Sequence, residues 1–412
     1  PMSDTVYLVL NILAGIALLS ALVFVLRCLT GKRHTLYQKI AVLLVALWPV
    51  VVFVAFLRWT SITPASQGRL IYGAISALAL WATLGLIWWL PLRLRPYVVA
   101  IACGALFLLA MIQPWATISP AYAQPPQTIA AETQAIFTSE AGGIAGTGMS
   151  FPETSVTAGE YLHFNIDFEV VQAFDRDWSL FVHLVSPEGI ILAQRDVYPG
   201  GGSLAMSDLE VGRAWENEIA VLIPPTTYSP QTAEVRLGWY HLPSGERMTL
   251  ENDEEMLSLG NVEILPRESV LDVPNPQSVN FGDLIELVGY DISALSAAPG
   301  ETLELTLYWR ALQPIEQDYV VFANVIDSTT FTKYAESNAM PVQWTRPTST
   351  WEPGELIVDT HTLTIREDSA PGVYPIELGL YLQQDSFPRL DVLGTYQNFL
   401  YLPPVRILEP DS

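Results

Sequence analysis

The chain has 412 residues, half of them hydrophobic, and a formal net charge of −23. Residues 1–119 hold eight basic residues and one acid, for a net charge of +7, whereas the rest holds 12 basic and 42 acidic residues, for −30. This asymmetry predicts a membrane anchor joined to an acidic soluble region. Charge repulsion makes nucleic acid and anionic lipid headgroups poor partners of that region, so we expect neither.

Four apolar runs lie in residues 1–119, at about 5–28, 40–58, 69–92 and 97–118. Each is long enough to cross a hydrocarbon core of roughly 30 Å as a helix. The sequence therefore predicts a four-helix transmembrane anchor over residues 1–119.

The basic residues orient this anchor. Lys32, Arg33 and Lys39 lie in the first loop, and Arg93 and Arg95 in the third. The loop 58–69 between them has only its two flanking arginines. Because cytoplasmic loops are enriched in basic residues, we expect a protein of the cell membrane with the N-terminus and the C-terminal region outside.

The N-terminus and the end of the anchor are the two places where a processing signal could lie. The N-terminal run has no preceding basic segment and is too long for a signal peptide. The segment "SPAYAQPP", 119–126, contains an A-x-A pattern. We interpret this segment as a proline-rich exit linker, and cleavage after Ala123 stays an alternative.

A repeat follows the anchor. The stretch "AGEYLHFNIDFEV", 158–170, matches "PGETLELTLYWRA", 299–311, and both alternate apolar and polar residues as strands with one buried face do. Further matches keep nearly the same offset, among them "RLGWY" ending at Tyr240 with "ELGLY" ending at Tyr381. The offset is too long for a solenoid unit, so it indicates a duplicated domain.

Short alternating strands separated by turn residues favour antiparallel sandwiches. The predicted fold class is thus membrane α plus all-β: four transmembrane helices, then two tandem antiparallel, immunoglobulin-like β-sandwiches over 120–265 and 266–412. Cys28 and Cys103 both lie in the anchor, so the sandwiches depend on their cores without disulfides.

Six tryptophans lie beyond the anchor. Repeat positions indicate that Trp178, Trp239 and Trp309 belong to the core. The other three, Trp215, Trp344 and Trp351, lie near loops or strand edges. They are candidate contacts for a partner protein or a glycan, and packing against their own loops is the alternative.

No catalytic residue, cofactor or metal site is predicted. No histidine lies within an apolar run, which argues against haem. The glycine-rich "YPGGGS", 198–203, lacks the lysine and helix of a phosphate loop, and "ENDEEM", 251–256, lacks calcium-loop spacing.

Three anchor residues are candidates for intramembrane packing. Asn11 would leave an amide unpaired in hydrocarbon unless it faces another helix. Gly73 and Ala77 form a small-xxx-small pair that would permit a close helix contact.

The second repeat copy contains "LIELVGYDI", "PGETLELTLYWRALQP", "DYVVFANVID" and "PTSTWEPGELIVDTHTLTI". These stretches resemble the extracytoplasmic C-terminal domain of certain bacterial membrane glycosyltransferases, which are similar to the dolichyl-phosphate-mannose–protein mannosyltransferase family. The resemblance covers about 120–412. In that family, catalysis lies in a membrane half with many more helices, and the first outer loop of that half carries the catalytic carboxylate. Here the loop 58–69 has no acid, and Asp4 is the only acid of the anchor.

We therefore expect a non-catalytic, membrane-anchored binding or scaffold protein that is an accessory subunit of a larger membrane assembly. Its expected partners are other membrane subunits, and glycans are an additional candidate. The alternative is an enzyme, a shortened glycosyltransferase relative of cell-envelope assembly.

Overall fold

A computed structural model describes residues 4–32, 34–62, 68–129, 132–150 and 154–409. The chain divides into two compact units, Pro1–Ala123 and Gln124–Ser412.

Among its described residues, the first unit contains four helical segments that are long and apolar enough to cross a membrane, Thr5–Thr30, Leu36–Thr60, Arg69–Ile87 and Arg95–Ala121. Their main α-helices are α1 (Asp4–Thr30), α2 (Leu36–Ile62), α3 (Ile75–Ile87) and α4 (Arg95–Gln113). The α3 helix has only 13 residues, so it reaches spanning length together with the helical turns before it. A 3-10 segment, Gly68–Ala74, precedes α3, and a π-helical turn, Pro114–Ile118, with the short helix Ser119–Ala121 extends α4. The prediction of four helical segments able to span a membrane is confirmed, and they support integral membrane association.

Helices α1 and α3 make the close contact within this unit. A Cβ on Gly85 of α3 would lie 2.0 Å from the backbone oxygen of Ala17 and 3.0 Å from the backbone nitrogen of Ala21, both on α1. Ala17 and Ala21 are buried. The indole N–H of Trp88 also donates to Oγ of Ser20 at 2.7 Å. Small residues thus let two backbones approach, as is typical of membrane helices.

Within its described residues, the second unit forms 18 strands in four sheets. The first nine are β1 (Ala135–Ser139), β2 (Gly142–Ser150), β3 (Ser155–Thr157), β4 (Tyr161–Gln172), β5 (Ser179–Val185), β6 (Ile191–Val197), β7 (Ala214–Leu222), β8 (Gln231–Tyr240) and β9 (Leu257–Leu265). The other nine are β10 (Val279–Phe281), β11 (Ile285–Ile292), β12 (Ser296–Ala297), β13 (Thr302–Ala311), β14 (Tyr319–Ile326), β15 (Lys333–Ala339), β16 (Leu356–Thr364), β17 (Gly372–Leu382) and β18 (Leu400–Ile407). Short helical segments lie at Pro199–Gly202, Met206–Asp208 and Thr348–Thr350.

The two halves have the same strand order. The first half has the sheets β1-β2-β4-β7 and β3-β9-β8-β5-β6, and the second has β10-β11-β13-β16 and β12-β18-β17-β14-β15. Each strand of the second half therefore matches the strand nine places earlier. Pairing is antiparallel except between β3 and β9 and between β12 and β18.

Among the described residues, each half has one hydrophobic cluster, and that cluster takes side chains from both of its sheets. In the first half Phe168 of β4 contacts Trp239 of β8, with ring centroids 5.1 Å apart. Trp178, Trp239 and Trp309 are fully buried, which confirms their prediction as core residues. Alternation explains the pattern, because one face of each strand turns inward.

Candidate functional site

The three tryptophans singled out by the sequence have different environments. Trp215 is fully buried and packs on Phe168, and Trp351 is 4% exposed, with its indole N–H donating to the backbone oxygen of Arg346. The prediction that these two could contact a partner or glycan is therefore wrong, because their rings fill the cores of the two halves. Trp344 is 51% exposed and stays a candidate contact.

Trp344 lies on an unusual turn, residues 340–346, called the Trp344 loop below. Val342, Gln343 and Trp344 have φ angles of 53°, 51° and 70°. Left-handed α conformation costs about 1–2 kcal/mol per residue for side chains other than glycine. It is a genuine outlier for a β-branched residue such as Val342.

The first half contains the same turn, built from glycine. Residues 200–202 are all glycine, with φ angles of 61°, 64° and 92°. In both turns the hydroxyl of the following residue, Ser203 or Thr345, donates to the backbone oxygen three residues earlier at 2.6 Å. The second half thus keeps a strained version of a turn that the first half makes with little strain.

A buried polar group anchors each turn. The backbone N–H of Val342 donates to Oδ1 of Asp359 on β16 at 2.7 Å, and that of Gly200 donates to Oδ1 of Asn217 on β7 at 2.8 Å. In the second half, the side-chain amide of Gln343 also donates to the backbone oxygen of Thr360 at 2.9 Å. These contacts hold the Trp344 loop in its left-handed form.

Asp359 also belongs to a buried chain of hydrogen bonds. Nε2 of His361 lies 2.8 Å from Oδ2 of Asp359, and Nδ1 of His361 lies 3.0 Å from Oγ of Ser337 on β15. Both Asp359 and His361 are fully buried. Since β15 and β16 belong to different sheets, the chain Ser337–His361–Asp359 joins two edge strands and fixes the base of the Trp344 loop.

The alternation of β16 could have predicted this buried hydrogen-bond network, although the comparison of the two repeat copies does not. In "LIVDTHTLT", 356–364, alternation places Asp359 and His361 on the same inward face as Ile357 and Leu363. A carboxylate and an imidazole on an apolar face need partners, so they predict a buried polar contact.

The anchor candidates also differ from prediction. Gly73 lies in the 3-10 segment before α3, and a Cβ on it would meet nothing within 4 Å. Ala77 is half-buried. Among the described residues Gly85, and not Gly73 or Ala77, makes the close helix contact, and packing of Gly73 and Ala77 against another subunit stays a prediction.

Asn11 is exposed on α1, and its side chain makes no hydrogen bond with any described residue. Its amide, one-third of the way along an apolar helix, therefore has no partner among the described residues of the unit. In hydrocarbon such a group favours contact with a polar group on another chain.

The acidic cluster 251–256 and the histidines do not converge. Among the described residues, no group of three or more His, Cys, Asp or Glu side chains is placed to hold a metal ion.

No protein family and no curated protein matches this chain. Among solved structures, the alkylpurine DNA glycosylase AlkC of Pseudomonas fluorescens, bound to DNA containing an abasic site analog, is 12% identical over 30% of this chain and 29% of that one, with a TM-score of 0.19. A protein of Corynebacterium diphtheriae described as membrane anchored is 10% identical over 64% of this chain and 59% of that one, with a TM-score of 0.22. This chain therefore spans less than two thirds of either structure, and neither similarity bears on its function. The resemblance to membrane glycosyltransferases stays a prediction.

Proposed function

We propose that the protein is a non-catalytic, membrane-anchored binding protein and an accessory subunit of a larger membrane assembly. The observation that carries this proposal is the Trp344 loop. An exposed tryptophan on a turn whose strain is held by buried hydrogen bonds is a preorganised contact residue. Tryptophan is also among the side chains that contribute most to binding at protein interfaces.

The arrangement of the β-rich unit is part of the proposal. We take each half to be an antiparallel β-sandwich, since one hydrophobic cluster takes side chains from both sheets of that half. In such a fold, loops at the sheet edges are presented by a rigid scaffold, as suits a binding role.

The anchor supports a partner within the membrane. Asn11 has no hydrogen-bond partner in the described residues, and no described residue of α4 is buried. A neighbouring subunit with a polar group opposite Asn11 would satisfy the amide and cover part of this surface. The basic loops support an orientation with the β-rich unit on the outer side.

Site-specific photocrosslinking tests this function. A photoreactive amino acid at position 344, in the full chain in native membranes, should give a crosslink to one defined membrane protein. The same probe at position 331, where an equally prominent side chain is 74% exposed and also has a positive φ, is the matched control. Crosslinks of equal yield at both positions, or none at 344, would contradict the proposal.

The transmembrane contact is tested separately. Asn11→Leu should reduce the amount of that same protein recovered in mild detergent, whereas substitution of the neighbouring exposed Ile12 by leucine should not. Equal recovery with the unchanged protein, Asn11→Leu and Ile12→Leu would exclude a role for Asn11 in docking.

A further inference from the structure

A cavity of about 470 Å³ opens on the second half, on strands β14, β15 and β17 and the turn after β17. It is lined by Phe322, Asn324, Lys333, Asn338, Tyr381, Phe387 and Arg389. This volume lies in the range of small-ligand sites. The Trp344 loop is not part of its lining.

A stacked group of side chains forms the floor. Gly379 lies opposite Phe322 on the next strand, and a Cβ there would lie 2.5 Å from the Phe322 ring. The glycine therefore gives the ring room to lie across the strand. The guanidinium of Arg389 lies 4.3 Å from the centre of that ring and forms an ion pair of 3.2 Å with Glu377.

The first half repeats this floor. Phe181 lies opposite Gly238, a Cβ on Gly238 would lie 2.3 Å from its ring, and Arg247 lies 5.1 Å from the ring centre. Arg247 forms its ion pair with Glu255. The phenylalanine, glycine and arginine are thus a shared part of the fold and explain why "LGWY" and "LGLY" match.

The rim of the cavity differs between the halves. Asn338 is paired with Phe322, and the matching partner of Phe181 is Asp196. Lys333 is paired with Ile326. In the first half, Val185 takes the place of Ile326 and is paired with Ile191, so an isoleucine stands where the second half has the lysine. Two residues before the arginine, Phe387 takes the place that Gly245 has in the first half. The second half therefore adds an amide, an ammonium and an aromatic ring where the first half has none of them.

The aromatic ring is displayed in an unusual way. Phe387 is 61% exposed, with its ring centre 5.8 Å from that of Tyr381 in an edge-on contact. Ser386 and Phe387 have φ angles of 70° and 45°. Two consecutive left-handed residues hold an apolar ring in solvent beside the cavity, a form of strain that clusters at binding sites.

The polar groups of the cavity retain hydrogen-bonding capacity. Within the described residues, the side-chain amide of Asn338 makes no hydrogen bond. Asn324 is 2% exposed, its Nδ2 donates to Glu377 at 3.3 Å, and its Oδ1 has no partner. This buried oxygen therefore has unused hydrogen-bonding capacity beside the cavity.

The charges of the cavity cancel. Lys333 lies 3.1 Å from Glu336, and Arg389 is paired with Glu377. Residues 120–412 have a net charge of −30, which repels a polyanion at long range. The cavity itself offers such a ligand no excess of positive charge, because both of its cations are ion-paired. A ligand without charge, with many hydroxyl groups and an apolar face, fits this combination.

We propose that the cavity binds an uncharged saccharide. One face of a sugar ring would stack on Phe387, and the hydroxyl groups would bind Asn338 and the ion-paired side chains of Lys333 and Arg389. The inference rests on the proposed function, since it takes the β-rich unit to be a binding module.

Titration of the full chain in detergent tests the site. The probes are maltotriose, mannotriose and chitotriose as uncharged saccharides, with trigalacturonate as the charged comparison. At least one uncharged probe should bind, and Phe387→Ala should weaken it about tenfold because the stacking surface is lost, whereas Phe387→Trp should retain binding. Asn338→Asp, which copies Asp196 of the first half, should weaken it independently of Phe387.

The first half provides the control. Arg247→Met removes the matching arginine of the shared floor and should leave binding unchanged. Failure of all uncharged probes to bind at millimolar concentration, equal or tighter binding of trigalacturonate, or unchanged binding by both Phe387→Ala and Asn338→Asp would overturn the proposal. Trp344→Ala should leave saccharide binding unchanged. Absence of the crosslink at position 344 would therefore count against the partner contact, and absence of saccharide binding would count against the cavity.

Discussion

The backbone N–H of Val342 donates to the carboxylate of Asp359, 2.7 Å away, and this bond fixes the first residue of a left-handed turn. The matching bond in the first half joins Gly200 to Asn217. The same geometry is therefore held by a carboxylate where the turn carries side chains and by an amide where it is glycine. In each half, loss of the acceptor would leave a buried backbone N–H without a partner, so we expect both acceptors to stabilise their turns.

Asp359→Ala should lower the free energy of unfolding of the β-rich unit by about 2–4 kcal/mol, since the N–H of Val342 and the imidazole of His361 would both lose a buried partner. Asp359→Asn, which copies Asn217, should lose less. Chemical denaturation of residues 124–412 measures both. Equal stability of Asp359→Ala and the unchanged chain would mean that the hydrogen bonds contribute nothing to holding the turn.

Strain in the two turns should respond in opposite directions. Gly201→Ala should lower stability by about 1 kcal/mol, because the position has open space for a Cβ but a φ of 64°. Gln343→Gly should raise stability, because relief of the left-handed conformation exceeds the loss of one exposed hydrogen bond. Melting temperatures of the two variants provide the comparison, and a shift of both in the same direction would argue against stored strain.

Two glycines of the anchor should behave differently. Gly85→Ala should destabilise the anchor, since its Cβ would overlap the backbone of α1 at Ala17. Gly73→Ala has open space and should leave the isolated anchor unchanged. In a Cys103→Ser background, which removes the exposed thiol, the buried thiol of Cys28 reports the result because separation of the helices opens it to a thiol dye. Equal melting of the two variants would contradict the close contact of α1 and α3.

The stability of the first half should depend on pH through His183. Burial of this side chain, with a smaller effect of Arg247, lowers its pKa below the usual value, against an opposing effect of Asp196. The folded chain therefore binds this proton less readily than the unfolded chain does. Its contribution to stability is present above the unfolded pKa of about 6.5 and is lost as pH falls through the lower folded value.

His183→Gln should consequently lose less stability than the unchanged chain between about pH 7.5 and about pH 5. His163→Gln, at an exposed histidine of the same half, serves as the control. Chemical denaturation at both pH values gives the difference. An identical pH dependence of His183→Gln and the unchanged chain would exclude this histidine as its source.

The orientation in the membrane can be tested with single cysteines. In a chain in which Cys28 and Cys103 are replaced by serine, an impermeant thiol reagent on intact cells should label Ser66→Cys but not Thr35→Cys. Ser66 lies outside the described residues and is chosen because its loop carries few charges. The reverse labelling pattern would invert the orientation.

Periodicity is sufficient to predict the elements but not the site. Runs of apolar residues identify the four helices, and alternation identifies β4 and β13 with their inward faces, because these patterns follow from helix and strand geometry. The Trp344 loop cannot be found in this way, because "YPGGGS" and "MPVQWT" share only a proline. Their likeness lies in the backbone, where three glycines and three larger residues all adopt positive, left-handed φ angles.

Tertiary contacts also decide which aromatic residues are exposed. Trp351 precedes a proline-containing turn that resembles a display loop, yet its indole N–H turns back to Arg346 and the ring enters the core. The apolar character of Phe387 favours burial, yet its ring is exposed. The two left-handed residues that turn it outward could not be predicted from their types.

The four fully buried tryptophans, Trp178, Trp215, Trp239 and Trp309, have indole N–H groups without a hydrogen-bond partner in the described residues. Indoles in so apolar an environment emit at short wavelength and are shielded from an aqueous quencher such as iodide. Among the six tryptophans of the β-rich unit, Trp344 should therefore supply the long-wavelength, quenchable part of the emission. The unit thus contains an intrinsic optical probe at the proposed contact residue, and occupation of the Trp344 loop can be followed by fluorescence without any label.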